Sequence, residues 1–394
     1  MFEDIGRFLA PRETITATGG AERLMSALDA WGVTSGRVLV ICDRIVDELG
    51  HMRPYLDAFA ANGFSVAMFS EVTGEPTAEM LDTAIAWSRE HHADVIIGVG
   101  GGSALDTAKL VAYAVTAGTG IEALHGEMPS VPGFPPLVLI PTTTGTGSEA
   151  TRVAMYSRGH LKVAVVCNQF LPLIALLDAA MVEHLPSAVV AATSLDALSH
   201  SIESMLSTNR NHLTKTLGTS AARTVLRALP LAYHSGSTQA RGQLLYASYL
   251  GGLSLNAAVV LGHSLSYAVA SRQQLSHGAG CALALPFCLA YNHAADPALG
   301  KEISSRVLGE PNATLRELAH VVQTLTASVG LPTSLEETGL PPASEREVAR
   351  EILESFPRPN NPVALTEASL VRLLGHMRTG DVEAAFLDSY APAG

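Results

Sequence analysis

The segment SLDALSHSIES places a carboxylate and an imidazole four residues apart, at Asp196 and His200. On a helix this spacing puts both side chains on one face, with Cβ atoms about 5–6 Å apart. His263 and His277 follow in LGHSLSYAVASRQQLSHGAG. One carboxylate and three imidazoles are a donor set that suits Fe2+ or Zn2+, and a cation held with an open position polarises a carbonyl. An ordinary Asp–His helix pair and two core histidines are the alternative, which the residues alone leave open.

A glycine-rich segment, GVGGGS (98–103), follows an apolar run and opens a stretch of helix-forming residues. Glycines let the backbone approach a ligand closely, and a helix N-terminus offers free N–H groups to an anion. Ser103 is expected to cap this helix and to contact phosphate. A flexible strand-to-helix turn is the alternative to a phosphate site.

Two further polar features follow apolar runs. Asp43 comes after RVLVI, where an acid binds a ribose 2′-hydroxyl and repels a 2′-phosphate, or simply caps a helix. The loop PTTTGTGSE (141–149) concentrates hydroxyl and N–H donors after another buried run. Ligand contact and a solvated polar loop are its two interpretations.

Bulk composition excludes several classes of protein. The 394 residues allow two domains, and 47% hydrophobic with 16% charged residues predicts a large folded core. A net charge of -12 repels phosphate backbones and so excludes nucleic acid as a partner. Four cysteines without a C-x-x-C pair fit a reducing cytoplasm, and we expect neither a signal peptide nor a membrane span.

The pattern of apolar residues along the chain changes near residue 185. Before it, short β-like runs alternate with helical patterns, which predicts an α/β domain over 1–185 whose parallel sheet carries helices on both faces. After it, long helical periodicities predict an all-helical domain over 186–394, including one helix over Gln239–Ala270. The main predicted strands are Arg37–Ile41, Ser65–Phe69, Asp94–Val99 and Pro136–Ile140.

Together these segments resemble the iron-containing (group III) alcohol dehydrogenases over nearly the whole chain. The matching segments, in the same order as in the family, are GVGGGSALDTAK (98–109), IPTTTGTGSEAT (140–151), SLDALSHSIES (194–204), and His263 with Ser276-His277-Gly278. The resemblance implies an N-terminal α/β dinucleotide-binding domain, a helical metal domain and an active site in the cleft. It also implies hydride transfer between a nicotinamide and a small alcohol or aldehyde, in a homodimer or larger homo-oligomer.

Site roles also follow from the resemblance. Asp196, His200, His263 and His277 would bind the metal, with Fe2+ the first choice and Zn2+ the second. The expected cofactor contacts are Gly101, Gly102 and Ser103 at the pyrophosphate, Asp106 in the same segment, Thr142, Thr143 and Thr146 at the adenine and ribose side, and Lys162 near a ribose. Asp43 matches the position where an acid favours NAD(H) over NADP(H).

The chain departs from the family pattern at Tyr267, where many members have a histidine. Its hydroxyl could donate a proton, with a pKa lowered by a nearby metal, or the ring could be a packed aromatic. HSLSY followed by SHGAGCALALP looks like the branch associated with phosphonate metabolism, which implies phosphonoacetaldehyde as substrate. Arg152 and Arg272 are candidate clamps for the phosphonate, or else ordinary surface arginines.

Two other functions compete with the dehydrogenase. A lyase related to dehydroquinate synthase would share the domain plan, but its metal set uses Glu and two His in a site rich in Lys and Arg. The Asp-x-x-x-His pair and only four lysines favour the dehydrogenase. A non-catalytic metal-binding relative is the third hypothesis, against which the intact ligands and glycine loop argue.

Overall fold

A computed structural model of the chain describes residues 6–159, 161–270, 272–273, 275–388 and 390. The chain divides into two compact units: one spans Leu9–Leu185, and the other comprises the residues from Pro186 onward together with residues 6–8 of the described N-terminus.

The first unit is built on two sheets. The strands are β1 Glu13–Ala17, β2 Gly36–Asp43, β3 Phe64–Val72, β4 Val95–Gly100, β5 Gly126–Glu127, β6 Leu137–Pro141, β7 Val153–Arg158, β8 Leu161–Val166 and β9 Ile174–Asp178. The large sheet has six parallel strands in the order β1-β9-β6-β4-β2-β3. Strands β5, β8 and β7 form the small second sheet, in which β7 and β8 are antiparallel. The helices of this unit are α1 Ala21–Ala30, α2 Arg44–Glu48, α3 Arg53–Ala61, α4 Ala78–His91 and α5 Gly102–Ala117.

Both faces of the large sheet are covered by helices. Val38 of β2 belongs to the same apolar cluster as Phe59 of α3. The next residue, Leu39, points to the opposite face and clusters with Leu81 of α4 and Leu105 of α5. Successive residues of a strand face opposite sides, so a strand buried on both faces reads as a continuous apolar run. The predicted parallel sheet with helices on both faces is confirmed.

In the second unit all the described regular elements are helices, joined by loops. Its helices are α6 Ser187–Leu206, α7 His212–His234, α8 Thr238–Ser254, α9 Leu261–Ala270, α10 His277–Asn292, α11 Pro297–Leu308, α12 Leu315–Ser328, α13 Glu345–Ser355, α14 Glu367–Thr379 and α15 Val382–Leu387. Among the described helices, none by itself has the length and apolarity to cross a membrane; a joined pair that passes by composition, Thr238–Ala257 with Leu261–Ala270, is bent by 109°.

The single helix predicted over Gln239–Ala270 is wrong, because the chain breaks between α8 and α9. Ala258 has a φ of 60° at the break, a left-handed conformation that no continuous helix contains. The backbone N–H of Val260 donates to Glu203 Oε2 at 2.9 Å, so a carboxylate from α6 satisfies a donor at the start of α9. Apolar periodicity does not record a tertiary contact of this kind.

Helices α6 and α10 approach each other closely through a glycine. A Cβ atom placed on Gly278 would lie 2.0 Å from the carbonyl oxygen of Ala192, which is a backbone atom of α6. The two helices can keep this separation only if residue 278 has no side chain.

We expect Gly278→Ala to lower the free energy of unfolding by about 1–3 kcal/mol or more, because the backbones must separate. Gly375→Ala is the matched control, since that exposed position in α14 has no atom within 4 Å of an added Cβ. It should be neutral or stabilising by up to about 1 kcal/mol. Urea unfolding measures both values, and equal stability of the two variants would contradict the close approach.

Candidate metal centre and cofactor loops

The four ligands predicted from the sequence come together around one carboxylate oxygen. Asp196 and His200 lie on α6, His263 on α9, and His277 is the first residue of α10. Oδ1 of Asp196 lies 3.6 Å from Nε2 of His200, 3.5 Å from Nε2 of His263 and 3.4 Å from Nε2 of His277. Donors bound to one tetrahedral cation at about 2.0–2.2 Å stand about 3.3–3.6 Å apart. The spacing therefore fits one divalent cation.

Two atoms of this cluster are buried without a hydrogen-bond partner among the described residues, Asp196 Oδ1 and His263 Nε2. An ionised carboxylate and an imidazole nitrogen are costly to bury unless a charge or a hydrogen bond compensates them. A cation between them would satisfy both atoms at once, so the residues present fit a metal ion.

Electrostatics at the cluster favour positive charge. Burial alone would raise the pKa of Asp196, but His200, His277 and His263 together hold it well below its ordinary value. Burial opposes protonation of His263, yet the acidic groups around it, Cys281, Glu203 and Asp196, raise the pKa of this imidazole well above its ordinary value. In both cases the surrounding groups stabilise a cation at this point.

Glu203 orients one of the imidazoles. Its Oε1 lies 2.6 Å from Nδ1 of His263, and the side chain is fully buried. An acceptor on Nδ1 fixes the tautomer in which Nε2 carries a lone pair toward the cluster, as carboxylates commonly do for metal-binding histidines. A Cβ on Gly262 would lie 2.6 Å from Glu203 Oε1, so the glycine before His263 makes room for this contact.

A cysteine that the sequence analysis did not assign also lies at the cluster. The donor atoms of Asp196, His263, His277 and Cys281 all lie within 4.8 Å of one another. Both missed residues have a signal in the sequence, because Cys281 follows His277 by four residues and Glu203 follows His200 by three on the same helices. Spacing of three or four places residues on one helix face.

Tyr267 is packed as an aromatic side chain beside the cluster. Its ring stacks on His277, with centroids 5.1 Å apart and planes inclined by 13°, and also contacts Phe356. Burial raises the pKa of Tyr267, although His263 and Arg358 oppose the shift. A role in proton transfer stays a prediction.

In the first unit the glycine-rich segment opens α5 as expected. Gly101 is the N-cap, without a side-chain capping bond. The predicted capping role of Ser103 is therefore wrong, because the helix begins at Gly102, one residue before it. A Cβ on Gly102 would lie 2.7 Å from Cγ2 of Thr146, and one on Gly101 would lie 3.3 Å from Cγ2 of Thr143. The two polar loops thus lie against each other at an uncapped helix N-terminus, which is an anion-binding geometry.

Asp43 is tied to the glycine loop. Its Oδ2 accepts a hydrogen bond from the N–H of Gly101 at 2.6 Å, and its side chain does not cap α2. A Cβ on Gly100 would lie 2.2 Å from this oxygen, and Gly100 has a φ of 147°. Burial raises the pKa of Asp43 to about 6, with the Gly101 bond opposing the shift. The carboxylate therefore stands directly beside the candidate phosphate loop.

Three other expected cofactor contacts have protein partners. Asp106 accepts from Ser148 Oγ at 2.6 Å and from the N–H of Met155 at 2.9 Å. Lys162 pairs with Glu75. Thr142 is buried, and its N–H donates to the carbonyl of Gly100 at 2.9 Å. Direct contacts of Asp106, Lys162 and Thr142 with a cofactor stay predictions.

The two arginines expected to clamp an anionic substrate are both engaged with acids. Nη1 of Arg152 lies 3.1 Å from Glu127, and Arg272 pairs with Glu351. Arg358, which the sequence analysis did not consider, has no carboxylate partner among the described residues. Its Nε donates to Ser264 Oγ at 3.0 Å, and its guanidinium lies 6.0 Å from the ring centre of Tyr267.

Known proteins match both units of the chain. The model for iron-containing alcohol dehydrogenase matches residues 11–179, and the model for the C-terminal part of the Fe-containing alcohol dehydrogenase family matches residues 190–377. Long-chain-alcohol dehydrogenase 1 of Geobacillus thermodenitrificans is 31% identical over 93% of this chain and 95% of its own length.

Two further relatives agree with this assignment. The NAD-dependent methanol dehydrogenase of Bacillus methanolicus is 25% identical over 93% of this chain and 98% of its own length. The solved structure of an alcohol dehydrogenase from Oenococcus oeni superposes with a TM-score of 0.88 at 26% identity, covering 95% of this chain and all of that one. Through its two family matches and its full-length relatives, this chain belongs to the iron-containing alcohol dehydrogenase family, whose members are oxidoreductases acting on CH–OH groups.

Proposed function

We propose that this chain is a metal-dependent, NAD(H)-linked dehydrogenase that reduces a small anionic aldehyde such as phosphonoacetaldehyde or catalyses the reverse oxidation. One observation carries the metal part of the proposal, the convergence of three imidazole nitrogens within 3.4–3.6 Å of Asp196 Oδ1. We also propose a cytoplasmic homodimer or larger homo-oligomer; the four cysteines, all free thiols, fit a reducing compartment.

Asp196, His200, His263 and His277 hold a divalent cation, with Fe2+ the first choice on family grounds and Zn2+ the second. When bound, the cation acts as a Lewis acid on the substrate oxygen and stabilises the charge that develops there during hydride transfer. Glu203 keeps His263 in the tautomer that can bind it. The ligands come from three helices, so packing of α6, α9 and α10 sets their geometry.

The α/β unit binds the dinucleotide, which supplies or accepts the hydride. Gly101 and Gly102 allow the pyrophosphate to approach the N-terminus of α5, where backbone N–H groups and the helix dipole favour negative charge. Thr143 and Thr146, from the second polar loop, lie against these two glycines. Asp43 would bind a ribose hydroxyl and repel a 2′-phosphate, which supports NAD(H), the cofactor named for the methanol dehydrogenase relative.

An anionic substrate needs a cation that is not already neutralised. Arg358 meets this requirement better than Arg152 or Arg272, since each of those two has an acidic partner. The ring of Tyr267 lies between the guanidinium and the candidate ligands, since it neighbours Arg358 and stacks on His277. Both groups belong to the helical unit, so this arrangement does not depend on the cofactor loops.

Asp196→Asn tests the function directly, because it keeps the side-chain shape and removes the shared charge. Metal affinity should fall by more than the roughly 10–100-fold that loss of a supporting partner costs, and aldehyde reduction should fall with it. Asp296→Asn, an exposed carboxylate in the same unit, is the control and should keep both. Metal analysis after dialysis, with an NADH oxidation assay, measures the two effects; a fully loaded and active Asp196→Asn enzyme would refute the ligand assignment.

Asp43→Asn separates charge from structure, because the amide oxygen can still accept from Gly101. Relief of repulsion should raise NADPH use relative to NADH by about tenfold or more, as each 1.4 kcal/mol is tenfold in affinity. In the unsubstituted chain the NADH preference should weaken as pH falls through about 6, where Asp43 takes up a proton. A pH dependence of the cofactor preference that persists in Asp43→Asn is due to the phosphate of the cofactor. If the ratio of kcat/KM for NADH to that for NADPH is the same in Asp43→Asn as in the unsubstituted chain, Asp43 does not bind the ribose.

Arg358→Gln should raise KM for phosphonoacetaldehyde by about 10–100-fold, since a charge-assisted hydrogen bond contributes about 1.5–3 kcal/mol. The KM for propionaldehyde, which carries no charge, should stay the same. Arg152→Gln and Arg272→Gln are matched controls that should behave like the unsubstituted chain. If Arg272→Gln, and not Arg358→Gln, raises the KM for phosphonoacetaldehyde alone, Arg272 is the residue that binds the phosphonate.

A further inference from the structure

Cys281 differs from the other three cysteines in what surrounds its sulfur. Its Sγ lies 3.7 Å from Nε2 and 3.9 Å from Nδ1 of His277, one turn earlier on α10. The sulfurs of Cys42 and Cys167 have backbone carbonyl contacts, and that of Cys288 contacts the amide of Asn292. All four thiols are buried, so burial by itself does not distinguish Cys281.

The spacing around Cys281 is that of a ligand. A cation with bonds of about 2.3 Å to sulfur and about 2.1 Å to nitrogen can bind two such atoms only when they lie within about 4.4 Å of each other. The observed separation from His277 Nε2 is 3.7 Å, and His277 Nε2 itself lies 3.4 Å from Asp196 Oδ1. Each of these two pairs can therefore share one cation.

A second observation points to a ligand at the same place. Asp196 Oδ1 and His263 Nε2, which share the 4.8 Å cluster with Cys281 Sγ, are buried and have no hydrogen-bond partner among the described residues. Cys281 Sγ therefore lies beside buried electron-pair donors that a cation would satisfy. A thiol that only packs in the core would not have to lie beside such donors.

We propose that Cys281 is a direct ligand of the cation, so that this chain holds its metal through sulfur as well as through Asp196 and histidines. The inference rests on the proposed metal site and adds a donor to it. On binding, the S–H bond is exchanged for a sulfur–metal bond and the proton leaves to solvent. A thiolate is a soft ligand. Cys281 therefore raises the affinity for Zn2+ relative to Fe2+ above the ratio that the nitrogen and oxygen donors alone would give.

Cobalt is the probe, because a Co2+–thiolate bond gives a near-ultraviolet charge-transfer absorption that nitrogen and oxygen ligands do not. The purified full chain is stripped with a chelator and loaded with Co2+, and bound cobalt is measured by elemental analysis. Cys281→Ser and Cys281→Ala are compared with Cys288→Ser and Cys288→Ala, which change a buried thiol two turns along the same helix. Circular dichroism verifies that each variant is folded.

We expect the charge-transfer absorption in the unsubstituted chain and in both Cys288 variants, and its loss in both Cys281 variants while cobalt remains bound. Competition with a chromophoric chelator should show Zn2+ affinity at least about tenfold lower in the Cys281 variants, and Fe2+ affinity less affected. Stoichiometric cobalt without the absorption in the unsubstituted chain, or absorption that survives in Cys281→Ser, would overturn the proposal and leave the four-ligand site standing. Failure of the unsubstituted chain to retain any cobalt would refute the metal site itself, and Cys281 with it.

Discussion

The helical unit is organised around a single buried oxygen, Oδ1 of Asp196. Three imidazole nitrogens lie within 3.6 Å of it, although its side chain is only 4% exposed. Without compensation, burying an ionised carboxylate costs far more than a folded domain has to spare. The imidazoles depress the pKa of Asp196 and so favour its charged form, whose burial a positive charge beside the oxygen compensates. Protons on the histidines or a divalent cation can provide that charge, and the two compete for the same atoms.

This requirement explains several features that otherwise look unrelated. Glycine at position 278 lets α10 approach α6, and glycine at 262 makes room for Glu203 against His263. The break between α8 and α9 has the same origin, because Glu203 Oε2 bonds the N–H of Val260 while Oε1 faces the imidazole. One buried glutamate thus ends the irregular segment and orients a ligand. A change at any of these positions would act on the cluster through backbone geometry, with no direct contact with a cation.

The sequence predicts the parts of this molecule that local patterns encode. Continuous apolar runs identify the central strands β2, β4 and β6, and a glycine-rich turn after β4 marks the start of α5. The four candidate ligand positions follow from one i, i+4 pair and two later histidines once a family resemblance joins them. What escapes prediction depends on contacts between distant segments. Glu203 bonds residues 57 and 60 positions away, and Arg358 reaches Ser264 across 94 residues. Ser103 fails as a cap for a simpler reason, since helix ends shift by a residue or two.

The pKa of His263 shows how the cluster and the fold depend on each other. Because this pKa is raised above the ordinary value near 6.5, protonated His263 stabilises the metal-free fold below that pH, and the contribution disappears as pH rises through the raised pKa. Metal binding has the opposite dependence, because each imidazole must lose its proton before it can be a ligand. Acid therefore favours the proton as the buried counter-charge of Asp196, and alkaline conditions favour the metal. In both states a positive charge lies beside the buried carboxylate, which is what its burial requires.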